Sequence, residues 1–319
     1  MTSLANTNRT ITPTMSTKPT LITIVGPTGS GKTALAVRLA MHYGAEILST
    51  DSRQVYRGMP IGTAQPTPEE RATAPHHFVD ILEPEEDFTC GEFERRALAL
   101  LEELFKRNKF VVAVGGSGLY VDALCRGMDD MPQRDDKVRE DLSRRLKDNG
   151  LADLLEQLQQ LDYEFYKQVD RQNPVRVLRA LEVCITTGRP YSEQRKGRVA
   201  ERPFHIVKIG VDMPRDVLYE RINRRVDMMI ADGLEAEARA LYPKRHLNSL
   251  QTVGYRELFE YFDGKITLEE AVELIKRNSR RYAKRQMTWF GRDKQVRWFN
   301  PTEMDSIIGY IDESLRYTL

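Results

Sequence analysis

The chain has no apolar run approaching the ~20 residues that a membrane-spanning helix needs, which excludes a helical membrane protein. Cysteine is scarce: Cys90, Cys125 and Cys184 lie far apart, with no CxxC pair and no zinc spacing. That pattern fits a reducing, cytoplasmic compartment without structural disulfides or a zinc site. An excess of charge of either sign is also missing, with 48 Lys and Arg against 47 Asp and Glu, so bulk charge points to no partner and local charge must do so. Residues 1–18 are rich in Thr, Ser and Asn and lack the apolar segment of a secretory signal. They are expected to form a disordered tail. A chain of 319 residues is long enough for a real core and for one large domain or two.

What is present alternates. Thr20-Leu-Ile-Thr-Ile-Val25 is a short β-branched run that reads as a buried parallel strand. Thr33–Tyr43 carries helical spacing, Ala45–Thr50 reads as a second strand and Phe78–Leu82 as a third. Glu92–Lys106 follows as a helix, and Lys109–Val114 as a strand ending in Gly115-Gly116. Strand–helix alternation implies a parallel α/β sheet. After Gly127 the texture changes. The spacing predicts helices at Lys137–Asp148, Leu151–Gln159, Tyr163–Val169 and Pro174–Thr186. Strand character returns at His205–Val211, helices run on to about Phe290, and Val296–Phe299 is a last short strand. The expected architecture is an α/β fold with a P-loop NTPase-like parallel-sheet core, 19–134 and 196–319, interrupted by a mostly helical insertion domain, 135–195.

Gly26-Pro27-Thr28-Gly29-Ser30-Gly31-Lys32-Thr33 matches G-x-x-x-x-G-K-[ST] at every fixed position. Glycines let backbone N–H groups turn inward around phosphate oxygens, and Lys32 adds charge. The Thr33 hydroxyl can ligate Mg²⁺, and the helix that starts there aims its positive end at an anion. The loop alone does not choose among ATPases, GTPases and kinases.

The second strand runs into Asp51-Ser52-Arg53-Gln54, which puts Asp51 at the carboxyl end of a strand expected beside the phosphate loop's strand. Ligands collect at that edge of an open sheet. A carboxylate there can accept a proton or hold Mg²⁺ through water; equally, it can form a turn or a helix cap. Gly115-Gly-Ser117-Gly-Leu-Tyr120 closes another strand, where glycines permit close approach to a ligand or simply form a strand-to-helix turn. Lys276–Arg297 carries nine Lys or Arg against one acid, Asp293, with Tyr282, Trp289 and Phe290 interleaved. Basic groups among aromatics suit RNA, although a solvated amphipathic helix has the same signature. Arg176 and Arg179 share a helical face near Arg171. Arg225 belongs to a later basic cluster that can close over phosphates.

In this order the segments resemble the tRNA dimethylallyltransferase (tRNA isopentenyltransferase) family from Thr20 to Phe299. The carrying motifs are Gly26–Thr33, Asp51–Gly58 with Ile61–Ala64, Gly115–Tyr120, Asn173–Glu182, Thr252–Arg256 and Lys284–Phe290. The resemblance implies transfer of a dimethylallyl group from its diphosphate to the exocyclic amine of the adenosine 3′ to the anticodon, with release of diphosphate. It implies Asp51 as base, with Lys32, the loop amides, Mg²⁺ at Thr33 and Arg225 stabilising the leaving diphosphate. It places Asp51, Ser52, Arg53, Gln54, Ser117 and Arg139 against the tRNA. The stretches Val175-Arg176-Val177-Leu178-Arg179, Thr252-Val253-Gly254-Tyr255-Arg256 and Lys284-Arg285-Gln286-Met287-Thr288-Trp289-Phe290 would line the RNA-facing channel. The implied partners are the tRNA anticodon stem-loop, gripped by the insertion, and dimethylallyl diphosphate, with no membrane and the chain acting as a monomer. Ser117 stands where threonine is more usual, Arg53 where many members are uncharged, and no Cys/His zinc extension is present, as in bacterial members. A small-molecule kinase would explain Gly26–Thr33 but not the basic segment. A non-catalytic RNA-binding ATPase would leave Asp51 without a role.

Overall fold

The computed structural model describes residues 18–316 apart from 130, 133 and 198. All but the last residue of the expected tail, 1–18, lies outside the described residues. The first half runs β1 (Thr20–Val25), α1 (Lys32–Tyr43), β2 (Glu46–Ser49), α2 (Pro68–Thr73), β3 (His76–His77), α3 (Cys90–Leu104), β4 (Phe110–Val114) and α4 (Gly118–Arg126). Four helices follow: α5 (Asp136–Leu161), α6 (Tyr163–Gln168), α7 (Pro174–Thr187) and α8 (Tyr191–Gln194). The chain then continues through β5 (His205–Val211), α9 (Arg215–Ala231), α10 (Leu234–Leu241), α11 (Tyr255–Phe262), α12 (Leu268–Phe290), β6 (Arg297–Phe299) and α13 (Met304–Arg316).

The six strands form one sheet in the order β3-β2-β4-β1-β5-β6, and every pairing is parallel. β1 sits inside the sheet with all six residues buried, which is why it needs no polar face. Its side chains alternate between layers. Ile22 and Ile24 join Leu35 and Leu39 of α1 and Ile311 of α13 on one face. Leu21 joins Phe93 and Leu101 of α3 on the other.

Three expectations change. The strand before Asp51 is not beside β1, because β4 pairs with both β1 and β2 and lies between them. The first crossover therefore skips a place in the sheet. Phe78–Leu82 is not a strand: Phe78 and Asp80 both have φ of 60°, a left-handed conformation that no strand accommodates, and the pairing falls instead on His76 and His77. Helix α13 lies beyond the last expected element, although Ile307, Ile311 and Leu315 recur at helical spacing and are buried.

Two compact units emerge, one of them Arg126–Glu201 and the other the rest of the chain. The expected insertion, 135–195, falls inside the helical unit. Its core is its own, built on Leu142, Leu154, Leu158, Phe165, Val177 and Leu181. The two helices expected at 137–148 and 151–159 are separated at Gly150, whose φ of 79° interrupts α5.

Candidate active site

The strand order brings three carboxyl ends side by side: β1 leading into Gly26–Thr33, β4 into Gly115–Tyr120, and β2 into Asp51–Gln54. The phosphate loop is held from two sides. Helix α9 presses on Gly29, where φ is 81° and an added Cβ would stand 2.9 Å from Ile222 Cγ1. Buried Gln286 of α12 takes the other side: its Oε1 accepts the Thr28 N–H at 2.8 Å, and its Nε2 donates to the Gly116 carbonyl at 2.9 Å. The amide of Thr28 is thus already engaged within the protein.

Helix α1 begins at Lys32 behind Gly31 with no acidic residue in its first turn, so its positive end is not neutralised by its own side chains. Ser30 Oγ is buried without a hydrogen-bond partner. Lys32 folds back to donate to the Pro27 carbonyl at 2.6 Å. Burial, then the charge of Arg225, pushes its ammonium down to about 7, against the upward pull of Asp51. Burial likewise lowers the Arg225 pKa, and Asp51 pulls it back up. Lys32, Arg225 and Asp51 therefore occupy one electrostatic neighbourhood, although they come from three separate segments.

Asp51 is partly exposed. Its Oδ1 accepts the backbone N–H of Arg53 at 2.8 Å and of Gln54 at 3.3 Å, so the turn-forming role is real. Its position beside Lys32 and Arg225 adds what that role does not require. Ser52 donates its N–H to Ser117 Oγ at 2.9 Å, which joins the acidic segment to the glycine turn. Tyr282 belongs to the same place. Burial and then the charge of Asp51 push its phenol up to about 12, against a hydrogen bond with Ser117. Arg53 donates to the Asn248 carbonyl at 2.9 Å and so braces its own segment.

The glycines of the Gly115–Gly118 turn are needed for close approach by the protein itself. An added Cβ would meet Thr50 from Gly115, Gln286 from Gly116 and Trp289 from Gly118, all inside 2.5 Å. Trp289 also donates Nε1–H to Asp122 Oδ2 at 3.0 Å.

The expected RNA-facing stretches divide by burial. Lys284, Arg285, Thr288 and Arg256 are exposed, Met287 and Trp289 half-buried, and Gln286 and Phe290 buried. Thr252 and Val253 are half-buried, but Gly254 and Tyr255 are buried, and Tyr255 is among the largest fully buried side chains. In the helical unit Val175 and Arg176 are exposed, Leu178 half-buried, and Val177 fully buried in the core. Arg139 and Arg179 lie 3.7 Å and 3.2 Å from Glu182, a carboxylate only 2% exposed, so part of their charge serves an internal ion pair. Side chains with no exposure cannot touch RNA without rearrangement; they shape the backbone that can.

Gln286 as a pin and Tyr282 beside Asp51 were not singled out for those roles by sequence. A signal existed for Gln286, a polar residue on the buried stripe Ala271, Ile275, Ala283, Phe290 of α12. Among the described residues no cluster of three or more His, Cys, Asp or Glu could hold a metal. Thr33 on the first turn of α1 and the orphaned Ser30 hydroxyl suit Mg²⁺ that draws most of its oxygens from a diphosphate and water.

Fold and site together set a glycine-rich loop at a helix N-terminus and an acidic segment on one edge of a parallel sheet. The IPP transferase family matches residues 54–293, and the chain belongs to it. It is 50% identical to tRNA dimethylallyltransferase 1 of Phocaeicola vulgatus over 92% of this chain and 97% of that protein. It superposes on the full-length tRNA isopentenylpyrophosphate transferase of Bacillus halodurans with a TM-score of 0.69 at 41% identity, covering 93% and 97% of the two chains. It also superposes on a eukaryotic dimethylallyltransferase acting on tRNA with a TM-score of 0.75 at 25% identity, covering 90% of this chain and 75% of that one. No helix among the described residues is long and apolar enough to cross a membrane.

Proposed function

We propose that this chain transfers the dimethylallyl group of dimethylallyl diphosphate to the exocyclic amine of the adenosine 3′ to the anticodon of tRNA. The observation that carries this reading is the shared neighbourhood of Lys32, Arg225 and Asp51. Two basic groups for a departing anion, Arg225 and a Lys32 that a bound diphosphate converts to its ammonium form, stand there beside one carboxylate for a proton.

The donor diphosphate lies in Gly26–Thr33, where Ser30 Oγ is free for its oxygens and the positive end of α1 faces them, while the amides of Thr28 and Ser30 are already engaged within the protein. Mg²⁺, when bound, neutralises part of the diphosphate charge, and the Thr33 hydroxyl would hold it. The adenine amine attacks C1 of the dimethylallyl group. A C–N bond forms as the C–O bond breaks, and diphosphate leaves with the electron pair. An adenine amine is a weak nucleophile, so Asp51 takes its proton. Lys32 and Arg225 stabilise the charge that develops on the leaving oxygen. The exposed basic residues Lys284, Arg285 and Arg256 engage the tRNA backbone, and the helical unit supports the anticodon stem through Arg176 and its neighbours. Buried Val177, Gly254, Tyr255, Gln286 and Phe290 support these surfaces from within. The protein acts in the cytoplasm, where the free thiols Cys90, Cys125 and Cys184 stay reduced.

The test is mass spectrometry of nucleosides from tRNA incubated with the protein, Mg²⁺ and dimethylallyl diphosphate. A new prenylated adenosine is expected. Transfer of the γ-phosphate of ATP to a small acceptor, with no such nucleoside, would overturn the reading. Asp51→Ala is expected to keep tRNA binding and to lower the single-turnover rate by roughly 10²–10⁴-fold, the usual contribution of a positioned base.

A further inference from the structure

The loop that follows the acidic segment is held by a carboxylate from a distant helix. Glu237 of α10 accepts the Ile61 N–H on Oε2 and the Gly62 N–H on Oε1, both at 2.8 Å. The hydroxyl of Tyr255, the first residue of α11, donates to the same Oε1 at 2.6 Å. The Tyr255 ring packs against Gly62 so closely that an added Cβ would lie 2.5 Å from it. The loop is thus gripped by one carboxylate and one ring. Burial and the adjacent Glu237 charge push the Tyr255 phenol well above its ordinary range, so it remains a donor.

The grip is relayed towards Asp51. Gln54 Nε2 donates to the Ala64 carbonyl at 2.8 Å, and Gln65 Nε2 returns to the carbonyls of Gln54 at 3.0 Å and Tyr56 at 2.8 Å. Gln54 Oε1 accepts from Ser49 Oγ at 3.0 Å, and the Gln54 N–H points at Asp51 Oδ1. Every link from Glu237 to Asp51 is a hydrogen bond or a peptide of the same loop.

We infer that Glu237 and Tyr255 are positioning residues: they clamp the Ile61–Ala64 loop and, through Gln54, hold Asp51 in its reactive orientation. This rests on Asp51 being the base. The carboxylate suits the task because two adjacent backbone donors need two acceptor oxygens. A glutamine offers one acceptor and leaves one N–H facing an NH₂ group. Neither Glu237 nor Tyr255 borders the phosphate loop through a hydrogen bond, so the donor site should not register their loss.

The test compares Glu237→Gln, Tyr255→Phe and Asp51→Asn in single-turnover prenylation of tRNA, with the KM for dimethylallyl diphosphate and thermal unfolding measured in parallel. Glu237→Gln is expected to lower the transfer rate by roughly ten- to a hundredfold, as a small misplacement of a reacting group does, with donor KM within about twofold. Tyr255→Phe keeps the buried ring and removes only the hydroxyl. It is expected to fold and to lose less rate, in the same step and with donor KM unchanged. If both variants keep the wild-type rate per folded molecule, or if the loss appears in donor KM instead, the clamp reading is overturned. If Asp51→Asn itself keeps the rate, the base assignment fails first, and the two failures are told apart.

Discussion

At Lys32, burial matters more than charge count. Its pKa of about 7 lies below its ordinary value of 10.5, so across that window the unfolded chain binds more protons than the folded one. Stability contributed through this residue should therefore rise with pH from about 7 to 10.5, the opposite of a lysine in a salt bridge. The same depression has a consequence for donor binding. At pH 8 the empty enzyme holds Lys32 largely neutral, while a bound diphosphate, already ionised, favours the ammonium. Dimethylallyl diphosphate should thus bind with net proton uptake. Calorimetry in buffers of different ionisation enthalpy measures that uptake, and Lys32→Met should abolish it. Equal heats in all buffers with the wild-type protein would contradict the assignment. Arg53 shows how far position in a motif alone carries. The resemblance places it against the tRNA, and its guanidinium is spent partly on the Asn248 carbonyl.

Helix α12 does two jobs on two faces. Its buried stripe of Ala271, Ile275, Ala283 and Phe290 anchors it, and Gln286 on that stripe joins the phosphate loop to the glycine turn. Its open face presents Arg277, Arg281, Lys284 and Arg285. Some of its charge is already used: Lys276 pairs with Asp227 at 2.8 Å and Glu273 at 3.0 Å, and Arg280 donates to Asn223 Oδ1 at 2.5 Å. Counting nine basic residues therefore overstates the RNA-binding charge. Lys284→Ala with Arg285→Ala should weaken tRNA binding and reduce the slope of log affinity against log salt by about 0.7–0.9 for each phosphate no longer neutralised. Filter binding over a range of salt concentrations tests this; an unchanged slope would leave those two residues as ordinary solvated charge. Gly254–Arg256 teaches the same lesson from the apolar side, for a short motif resembling an RNA-facing strip proves to bury Tyr255 completely.

At the scale of the whole molecule, the helical unit is an insertion whose entry and exit are anchored close by. Arg202, at the return, donates to the carbonyls of Ala123 and Leu124, at the departure, and Ala200 N–H bonds the Arg126 carbonyl. Among the described residues, the unit's core draws on those between Val138 and Tyr191. Replacing residues 126–201 by a short Gly/Ser linker should therefore leave the remaining unit folded and able to bind dimethylallyl diphosphate, with tRNA affinity greatly reduced. Circular dichroism and calorimetry check the two halves of that statement, and loss of donor binding in a folded remnant would refute it. Sequence made much of this plan legible. The Thr20–Val25 and His205–Val211 runs are strands because β-branched residues buried on both faces have little alternative, and Gly26–Thr33 reads as a phosphate loop because its spacing meets a backbone requirement. Those are local causes, and a sequence displays local causes. The order of strands is not local. That β4 comes between β1 and β2, that Gln286 reaches Thr28 across 258 positions, and that Glu237 grips Ile61 and Gly62 follow from packing among distant segments. The sequence by itself determined which chemical groups the protein owns and which short elements carry them. Only the tertiary structure decided which of those groups face a ligand and which hold the others still, because burial is set by everything that packs around a side chain.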